Sequence, residues 1–342
     1  MTGLRIPVRR RWEPWRDWAV ITVAMHAALL LVVFADPHGL WIVLAAVPVA
    51  LAFALATITV LHDAGHRMFS ARPWVNAVAV QLAAPGGLWS GHWALKHRVH
   101  HKFSQIYPYD ESTRSSSALR LHAAAPVSSS LRYQHVYAWP LYCLAWLGEF
   151  RSQLRYLRTG EISGLEPTPV APRVRSFFAE KALCAVVLSG YAAALGVGRL
   201  LVLLAVAETF ASIIVALVLA VGHINQGLVA SDDPEVAWAE NLMLSTASFS
   251  IHSTVARWLS GGLSLHLAHH LRPVALRSEL PELHRTVVQQ VAARTGLPVV
   301  QFPTFRAAVL GHRQRLQELS LCAPAATPLP ERALTGVLDG PA

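Results

Sequence analysis

Residues 261–273 read GGLSLHLAHHLRP and place three histidines, His266, His269 and His270, in the spacing H-x-x-H-H. On an α-helix these positions (i, i+3 and i+4) share one face, so the three imidazoles are predicted to point the same way. The spacing recurs in HRVHH at residues 97–101, and HDAGH at residues 62–66 has a looser H-x-x-x-H pair. With 17 histidines in 342 residues, a random chain would contain only about 0.04 H-x-x-H-H matches. Two copies therefore indicate a shared chemical role.

The three clusters supply candidate metal ligands, and one further histidine lies at the end of the last apolar run. The candidates are His62, His66, His97, His100, His101, His223, His266, His269 and His270. Imidazole suits zinc, copper, iron and nickel, so the ligand type alone does not select the metal. The set is too large for one ion but fits two ions that share a site and keep open positions for oxygen or water.

A carboxylate that hydrogen-bonds a ligand histidine commonly fixes the orientation of its ring. Asp63, inside the first cluster, is the nearest candidate for this role, and Asp110 and Glu111 are weaker candidates. Asp63 could equally cap the start of a helix. The sequence leaves both roles of Asp63 open.

The composition is that of a membrane protein, because 54% of the residues are hydrophobic, only 14% are charged, and the mean hydropathy is +0.39. Apolar runs predict four spanning helices at about residues 18–35, 40–61, 177–197 and 200–222. The predicted fold is an all-α integral membrane protein with four transmembrane helices and a cytoplasmic helical cap that carries a histidine-rich dimetal site. Residues 1–321 are predicted to form one domain, and residues 322–342 a disordered tail.

The distribution of charge predicts the orientation of the chain. Five arginines from Arg5 to Arg16 precede the first span, and the predicted outer turns carry one basic residue, Arg199. By the positive-inside rule both termini lie in the cytoplasm, which places the three clusters and His223 on the cytoplasmic side. The net charge of +9 suits an anionic membrane surface or an acidic partner better than nucleic acid, because the basic residues flank apolar runs.

HDAGH, HRVHH and LSGGLSLHLAHHLRP resemble the three histidine boxes of the membrane fatty acid desaturase superfamily, especially its acyl-lipid and front-end branch. The resemblance extends from about Leu40 to Pro298. It implies a di-iron centre bound by the histidines of the three boxes, and His223 resembles the extra histidine that completes the ligand set in that family. Two positions depart from the pattern: Leu219 where some members have an asparagine, and His266 where front-end enzymes typically have a glutamine.

The resemblance implies an oxygen-dependent desaturase that introduces a C=C bond into an acyl chain linked to a lipid, CoA or a carrier protein. O2 is then a co-substrate, and an external ferredoxin or cytochrome b5 with its reductase supplies electrons. Basic residues could dock such an acidic donor, an acyl carrier protein, CoA or a phospholipid headgroup, or could reflect the positive-inside bias alone. These residues are Arg67, Arg72, Lys96, Arg98 and Lys102.

Other functions are compatible with the same sequence features. A hydroxylase, ketolase or acetylenase could use the same scaffold, and analysis of the product would separate these reactions. A membrane metal-binding or transport protein is an alternative of another class. Transport is disfavoured because transport sites usually lie near the bilayer midplane, whereas the predicted histidine clusters lie at one membrane surface.

Several remaining segments receive structural predictions. The apolar segments at residues 73–93 and 137–150 are too interrupted or too short to span, so they are predicted to lie along the interface or to re-enter it. Three tryptophans are candidates for the wall of an acyl channel or for interfacial anchors: Trp89, Trp93 and Trp258. Three isolated histidines are predicted to be solvent-exposed: His122, His284 and His312.

Overall fold

The computed structural model describes residues 12–113 and 118–321, and this part of the chain is mostly helical. Most of the arginine-rich N-terminal stretch and the predicted tail at 322–342 lie outside the described residues. The helices are α1 (Trp12–Ala35), α2 (Trp41–Leu55), α3 (His62–Gly65), α4 (Pro73–Ala83), α5 (Ser90–Lys102), α6 (Gln134–Cys143), α7 (Ala145–Thr159), α8 (Val170–Leu195), α9 (Val197–Ala220), α10 (Trp238–Ser245), α11 (Thr254–Leu259), α12 (His266–Leu271), α13 (Leu280–Leu283), α14 (Gln289–Thr295) and α15 (Phe305–Leu321). Two short strands, β1 (Ser248–Phe249) and β2 (Gln301–Phe302), pair in parallel.

Four helices of the described part are long and apolar enough to cross a membrane: α1, Trp41–Gly65, α8 and α9. In the second of these, a π-helical stretch at Ala56–Leu61 joins α2 to α3 without a break. The first and third spans begin at Trp12 and Val170, earlier than predicted, because hydropathy marks the part of a helix inside the hydrocarbon and not where its hydrogen bonding begins. The prediction of an all-α membrane protein with four spans is confirmed.

Short connections arrange the spans as two antiparallel pairs. The turn at residues 36–40 returns the chain from α1 to α2, and Gly196, with φ of +79°, returns it from α8 to α9. α2 and α9 pack along one another, and their small buried side chains allow this close approach. These side chains include Ala46, Ala50, Ala207 and Ala211. The second and fourth spans therefore end at the same end of the bundle, at Gly65 and Ala220.

The interrupted segment at residues 73–93 consists of α4 and the start of α5, separated by a bend. Glu180 of α8 anchors the start of α5: its buried carboxylate accepts hydrogen bonds from Ser90 N (2.8 Å), Ser90 Oγ (2.8 Å), Gly91 N (3.3 Å) and Gln81 Nε2 (3.1 Å). The carboxylate also offsets the partial positive charge of the helix N-terminus. This contact positions the helix that carries the second histidine box.

The predicted interfacial segment at residues 137–150 is formed by α6 and the start of α7. Both helices contact α9, and they leave the side chains of Leu144, Leu147 and Phe150 exposed. A helix that packs on a span and exposes apolar side chains beside it is suited to the membrane interface. The two helices therefore extend the bundle sideways at the end where the histidine boxes lie.

Residues 221–321 form a cap over the same end of the bundle. α12 carries the third histidine box and packs against α10 and the turn His284–Val288. The pairing of β1 with β2 joins the segment after α10 to the segment before α15. α15 then packs against α6. The cap thus brings the third box over the ends of the spans.

Candidate metal centre

Four parts of the chain deliver the candidate ligands to one place. His62 and His66 lie at the end of the continuous helix Trp41–Gly65, directly after its π-helical stretch, which is a feature frequent at functional sites. The second box lies on α5, the third on α12, and His223 follows α9. The structure gathers the nine predicted histidines into two groups, within each of which the candidate ligand atoms lie within 4.8 Å of one another. The groups are His62, His66, His97, His101 and His269, and His100, His223, His266 and His270.

In the first group the Nε2 atoms face one another at short distances. Nε2 of His97 lies 2.8 Å from that of His66 and 3.1 Å from that of His101. Nε2 of His269 lies 3.1 Å from that of His62 and 3.2 Å from that of His101. Each Nε2 has only one proton or one lone pair, so it cannot serve two such neighbours by hydrogen bonding. Imidazole nitrogens bound at right angles about 2.1 Å from one ion would lie about 3.0 Å apart, which matches these separations.

The second group places two lone pairs face to face. His223 donates its Nδ1 proton to the carbonyl of Ser245 (3.0 Å), and His100 donates its Nδ1 proton to Oδ2 of Asp110 (2.8 Å). In their neutral forms both rings then carry a lone pair on Nε2. These two Nε2 atoms lie 3.0 Å apart, a contact that repels unless a cation lies between them. The site therefore fits a metal ion.

His270 supports the same conclusion through its burial. Its side chain is 0% exposed, and neither ring nitrogen has a hydrogen-bond partner in the described part of the chain. A buried polar atom without a partner costs about 1–3 kcal/mol. The lone pair of His270 would gain its partner from a bound ion.

The protonation states also suit metal binding. Burial first, and the neighbouring imidazoles second, lower the pKa of His223 to about 3. The same two causes lower the pKa of six further histidines well below its usual value: His66, His97, His101, His266, His269 and His270. These side chains are neutral near pH 7, which is the form that binds a metal.

Asp110 is the carboxylate that orients a candidate ligand. Besides the Nδ1 proton of His100, it accepts hydrogen bonds from the backbone N–H groups of Gln105 and Ser112, both at 2.9 Å. Burial raises the pKa of Asp110, but the attraction of His100 and these hydrogen bonds outweigh burial, so the net shift is downward. Oδ1 of Asp63 lies 3.7 Å from Nδ1 of His62, beyond hydrogen-bond distance, and its orienting role stays a prediction.

The cap contributes positioning residues that the sequence did not single out. Trp238 of α10 donates its Nε1 proton to the carbonyl of His101 (3.2 Å). A Cβ atom on Gly222 would lie 2.0 Å from Nδ1 of His266, so only glycine leaves room for that ring. The glycine directly before His223 was the available signal in the sequence, but only the three-dimensional structure shows that the ring beside it is that of His266.

A cavity of about 640 Å³ opens beside both groups of histidines and reaches His62, His97, His100, His223 and His266. Much of its wall is apolar, including Leu119, Leu121, Leu141, Ala216, Leu219 and Leu263. Ion pairs line another part of it: Lys96 with Glu149 (2.7 Å) and Arg155 with Glu111 (2.8 Å). Such a cavity is suited to a long apolar molecule with a polar end.

Two of the predicted wall residues do not line this cavity. Trp93 does, whereas Trp89 is buried against Tyr156 and Phe177, and Trp258 lies on α11. Leu219 also lines the cavity. Asn225 does not replace the asparagine of the family pattern, because it donates its side-chain protons to backbone carbonyls of Val221 (2.9 Å) and Ala308 (3.0 Å).

The prediction that three isolated histidines are solvent-exposed is wrong. His122, His284 and His312 are 2%, 7% and 0% exposed. For His312, burial is tolerated because its neutral imidazole is satisfied as one donor and one acceptor, by Ile224 O and the Tyr142 hydroxyl.

Comparison with known proteins identifies the family. The model of the fatty acid desaturase family matches residues 38–303. The sn-1 linoleoyl-lipid 6-desaturase of Synechocystis sp. is 25% identical, over 88% of this chain and 86% of that protein. The corresponding enzyme of Arthrospira platensis is 23% identical, over 89% and 84%. The acyl-lipid (8-3)-desaturase of Physcomitrium patens is 26% identical, over 77% of this chain and 57% of that protein. The chain therefore belongs to the fatty acid desaturase family of membrane oxidoreductases and is an acyl desaturase.

Proposed function

We propose that this chain is an oxygen-dependent desaturase of acyl chains carried on membrane lipids, and that its nine clustered histidines hold two iron ions. The observation that carries the proposal is the contact between Nε2 of His100 and Nε2 of His223, two lone pairs 3.0 Å apart beside a largely apolar cavity. One ion would be held by His62, His66, His97, His101 and His269, and the other by His100, His223, His266 and His270.

When bound, iron would supply the chemistry that reduces O2 to two molecules of water, with one hydrogen atom from each of two adjacent methylenes of the acyl chain, two electrons from the external donor and two protons from water. The chain itself performs the remaining tasks. Asp110 and the Ser245 carbonyl keep the protons of His100 and His223 on Nδ1, so each Nε2 is available as a ligand. The apolar wall seats the acyl chain beside the histidines and excludes water.

The polar part of the cavity favours a lipid over CoA as the carrier of the acyl chain. Lys96 and Arg155 are each paired with a glutamate, so among the described residues of the lining only the exposed Arg151 keeps a positive charge without an ion pair, enough for the single phosphate of a lipid headgroup. A polyanionic carrier would have to compete with these pairs, whereas a headgroup of low net charge would not. The exposed apolar residues Leu144 and Leu147, at the junction of α6 and α7, lie next in sequence to the lining residues Ala145 and Gly148, a position that would let an acyl lipid enter the cavity from the interface. Two relatives, an sn-1 linoleoyl-lipid 6-desaturase and an acyl-lipid (8-3)-desaturase, are named for lipid-linked acyl chains, which agrees with this proposal.

We further propose that both termini and the site face the cytoplasm, where an external ferredoxin or cytochrome b5 delivers electrons. Arg67, Arg72, Arg98 and Lys102 are exposed near the site and would attract an acidic donor, whereas Lys96 is engaged by Glu149. At the other end of the bundle Arg199 is paired with Asp36. This distribution agrees with the positive-inside rule.

Metal analysis and product analysis test the proposal together. Chain purified with iron supplied should contain about two irons, as the two groups of histidines require, and a host that expresses it should accumulate lipids with a new C=C bond. His269→Ala should abolish the product and lower the iron content, whereas His38→Ala, in the turn at the opposite end, should change neither. Bound zinc alone, or folded protein without metal, would contradict the iron site. A product with an added oxygen would instead identify a hydroxylase.

A further inference from the structure

One wall of the large cavity is held by a buried histidine of α15. Tyr142 and Ile224 both line the cavity, and both contact His312. Nδ1 of His312 lies 2.5 Å from the carbonyl oxygen of Ile224, which can only accept a proton, so Nδ1 is the donor. Nε2 of the neutral ring must then accept the hydroxyl proton of Tyr142, at 2.8 Å. His312 therefore bridges two wall residues with a fixed direction of hydrogen bonding.

α15 is firmly docked where it makes these contacts. A Cβ atom on Gly311 would lie 2.3 Å from Oδ1 of Asn225, and Asn225 donates a hydrogen bond to the Ala308 carbonyl (3.0 Å). Further along the helix, Gln134 donates a hydrogen bond to the Leu316 carbonyl (2.8 Å). These contacts hold α15 against the segment that contains His223. α15 therefore gives the ring of His312 a rigid support. This helix lies outside residues 38–303, the part of the chain that the family model matches.

The wall matters because the methylenes of an acyl chain are chemically alike, so the position of the double bond depends on how the cavity seats the chain. A hydrophobic pocket discriminates by roughly 10–200-fold for one methylene. A wall side chain that is free to rotate would weaken this discrimination. Tyr142 is prevented from rotating by the hydrogen bond to His312 and by the stacking of the two rings, whose centroids lie 5.8 Å apart.

We propose that His312 is a specificity-determining residue, which acts by holding Tyr142 and Ile224 in place and so selects the methylene pair that is desaturated. This inference rests on the proposed function, because it takes the cavity to be the seat of the acyl chain. His312 is a positioning residue in this role, since it contacts the wall and neither the substrate nor a metal.

The test measures the iron content of wild-type chain, four variants and one control variant, and locates the double bonds in their products by mass spectrometry of lipids. Tyr142→Phe and His312→Leu should keep their iron, while the ratio of the main product to its positional isomers falls about fivefold, the effect of one buried hydrogen bond. His312→Gln should lie closer to wild type, because an amide can still donate and accept. Combining Tyr142→Phe with His312→Leu should add little, since both remove the same contact.

His26→Leu is the matched control, because His26 also joins a tyrosine hydroxyl (Tyr191, 2.7 Å) to a backbone carbonyl (Leu82, 2.9 Å), and none of these three residues lines the cavity. An unchanged isomer ratio in Tyr142→Phe and His312→Leu, or an equal change in His26→Leu, would overturn the inference. If His312→Leu fails to fold, Tyr142→Phe decides the matter, because it removes a single oxygen atom. If wild-type chain makes no desaturated product, the proposed function fails, and the inference fails with it.

Discussion

At the scale of single residues, the site depends on where protons reside. Asp110 and the Ser245 carbonyl each accept an Nδ1 proton, and these contacts direct the lone pairs of His100 and His223 toward each other. The same imidazoles would form an ordinary hydrogen bond if one ring carried its proton on Nε2. The two acceptors therefore make a ligand pair from two histidines.

Asp110→Asn should weaken the binding of metal by the second group. An amide can turn its NH2 toward Nδ1 of His100, which would favour the tautomer with the proton on Nε2 and remove the ligand. Loss of such a partner lowers metal affinity by about 10–100-fold. Titration of the purified chain with iron, followed by absorption, measures this change.

Asp63→Asn is the comparison for Asp110→Asn. The Asp63 carboxylate lies 3.7 Å from Nδ1 of His62, so we expect Asp63→Asn to lose less metal affinity than Asp110→Asn. Equal losses in the two variants would show that Asp63 orients His62 in the metal-bound protein. If Asp110→Asn binds iron as tightly as the wild-type chain, Asp110 does not orient His100 for metal binding.

At the scale of the element, α5 carries three candidate ligands and is tied at both ends. Glu180 accepts the N–H groups of Ser90 and Gly91 at its start. At its other end Asn241 donates a hydrogen bond to the carbonyl of Ser104 (2.8 Å), two residues beyond the helix. A helix held in this way cannot slide or rotate, so its histidines keep their directions.

Glu180→Gln should therefore disturb the metal site from the far end of α5. The substitution removes a charge from a buried group that accepts hydrogen bonds from three residues, and a charge-assisted hydrogen bond contributes about 1.5–3 kcal/mol. We expect a lower unfolding temperature and a changed absorption spectrum of the iron-loaded protein. Thermal unfolding and the spectrum measure the two effects.

Glu208→Gln is the control for Glu180→Gln. Glu208 lies on the neighbouring span α9, and its side chain faces Gly86 instead of the start of α5. This variant should keep the wild-type spectrum. The same spectral change in both variants would mean that any lost acid in the bundle disturbs the site, and the specific role of Glu180 would be rejected.

At the scale of the whole molecule, the metal site joins the spanning bundle to the cap. His62 and His66 end a span, His223 follows another, and α12 belongs to the cap. Without a cation the converging nitrogens repel or lack partners. Bound ions should therefore stabilise the fold as well as support the reaction.

Removal of the metal by a chelator should lower the unfolding temperature of the purified chain. An ion present at 100 times its dissociation constant stabilises the native state by about 2.7 kcal/mol. The shift should be smaller in His269→Ala, which lacks a candidate ligand of the first group but keeps the second group, and should persist in full in His38→Ala. Equal unfolding temperatures with and without chelator in wild-type chain would contradict a metal that holds the bundle and cap together.

Local patterns were sufficient to predict the four spans and the nine candidate histidines. Length and apolarity identify a span because the bilayer sets both requirements within one stretch of chain. The H-x-x-H-H spacing identifies candidate ligands because the period of the helix places those residues on one face. Both features are properties of contiguous sequence, so no knowledge of distant contacts was needed.

The tertiary structure alone decided how these residues are used. It divided the histidines into two groups, placed Asp110 instead of Asp63 within hydrogen-bond distance of a ligand ring, and buried His312 behind the cavity wall. Each outcome depends on segments far apart in the chain, as in the contact of His312 with Tyr142. Residue type and spacing do not specify which distant carbonyl, hydroxyl or carboxylate meets a ring nitrogen, because packing sets that choice.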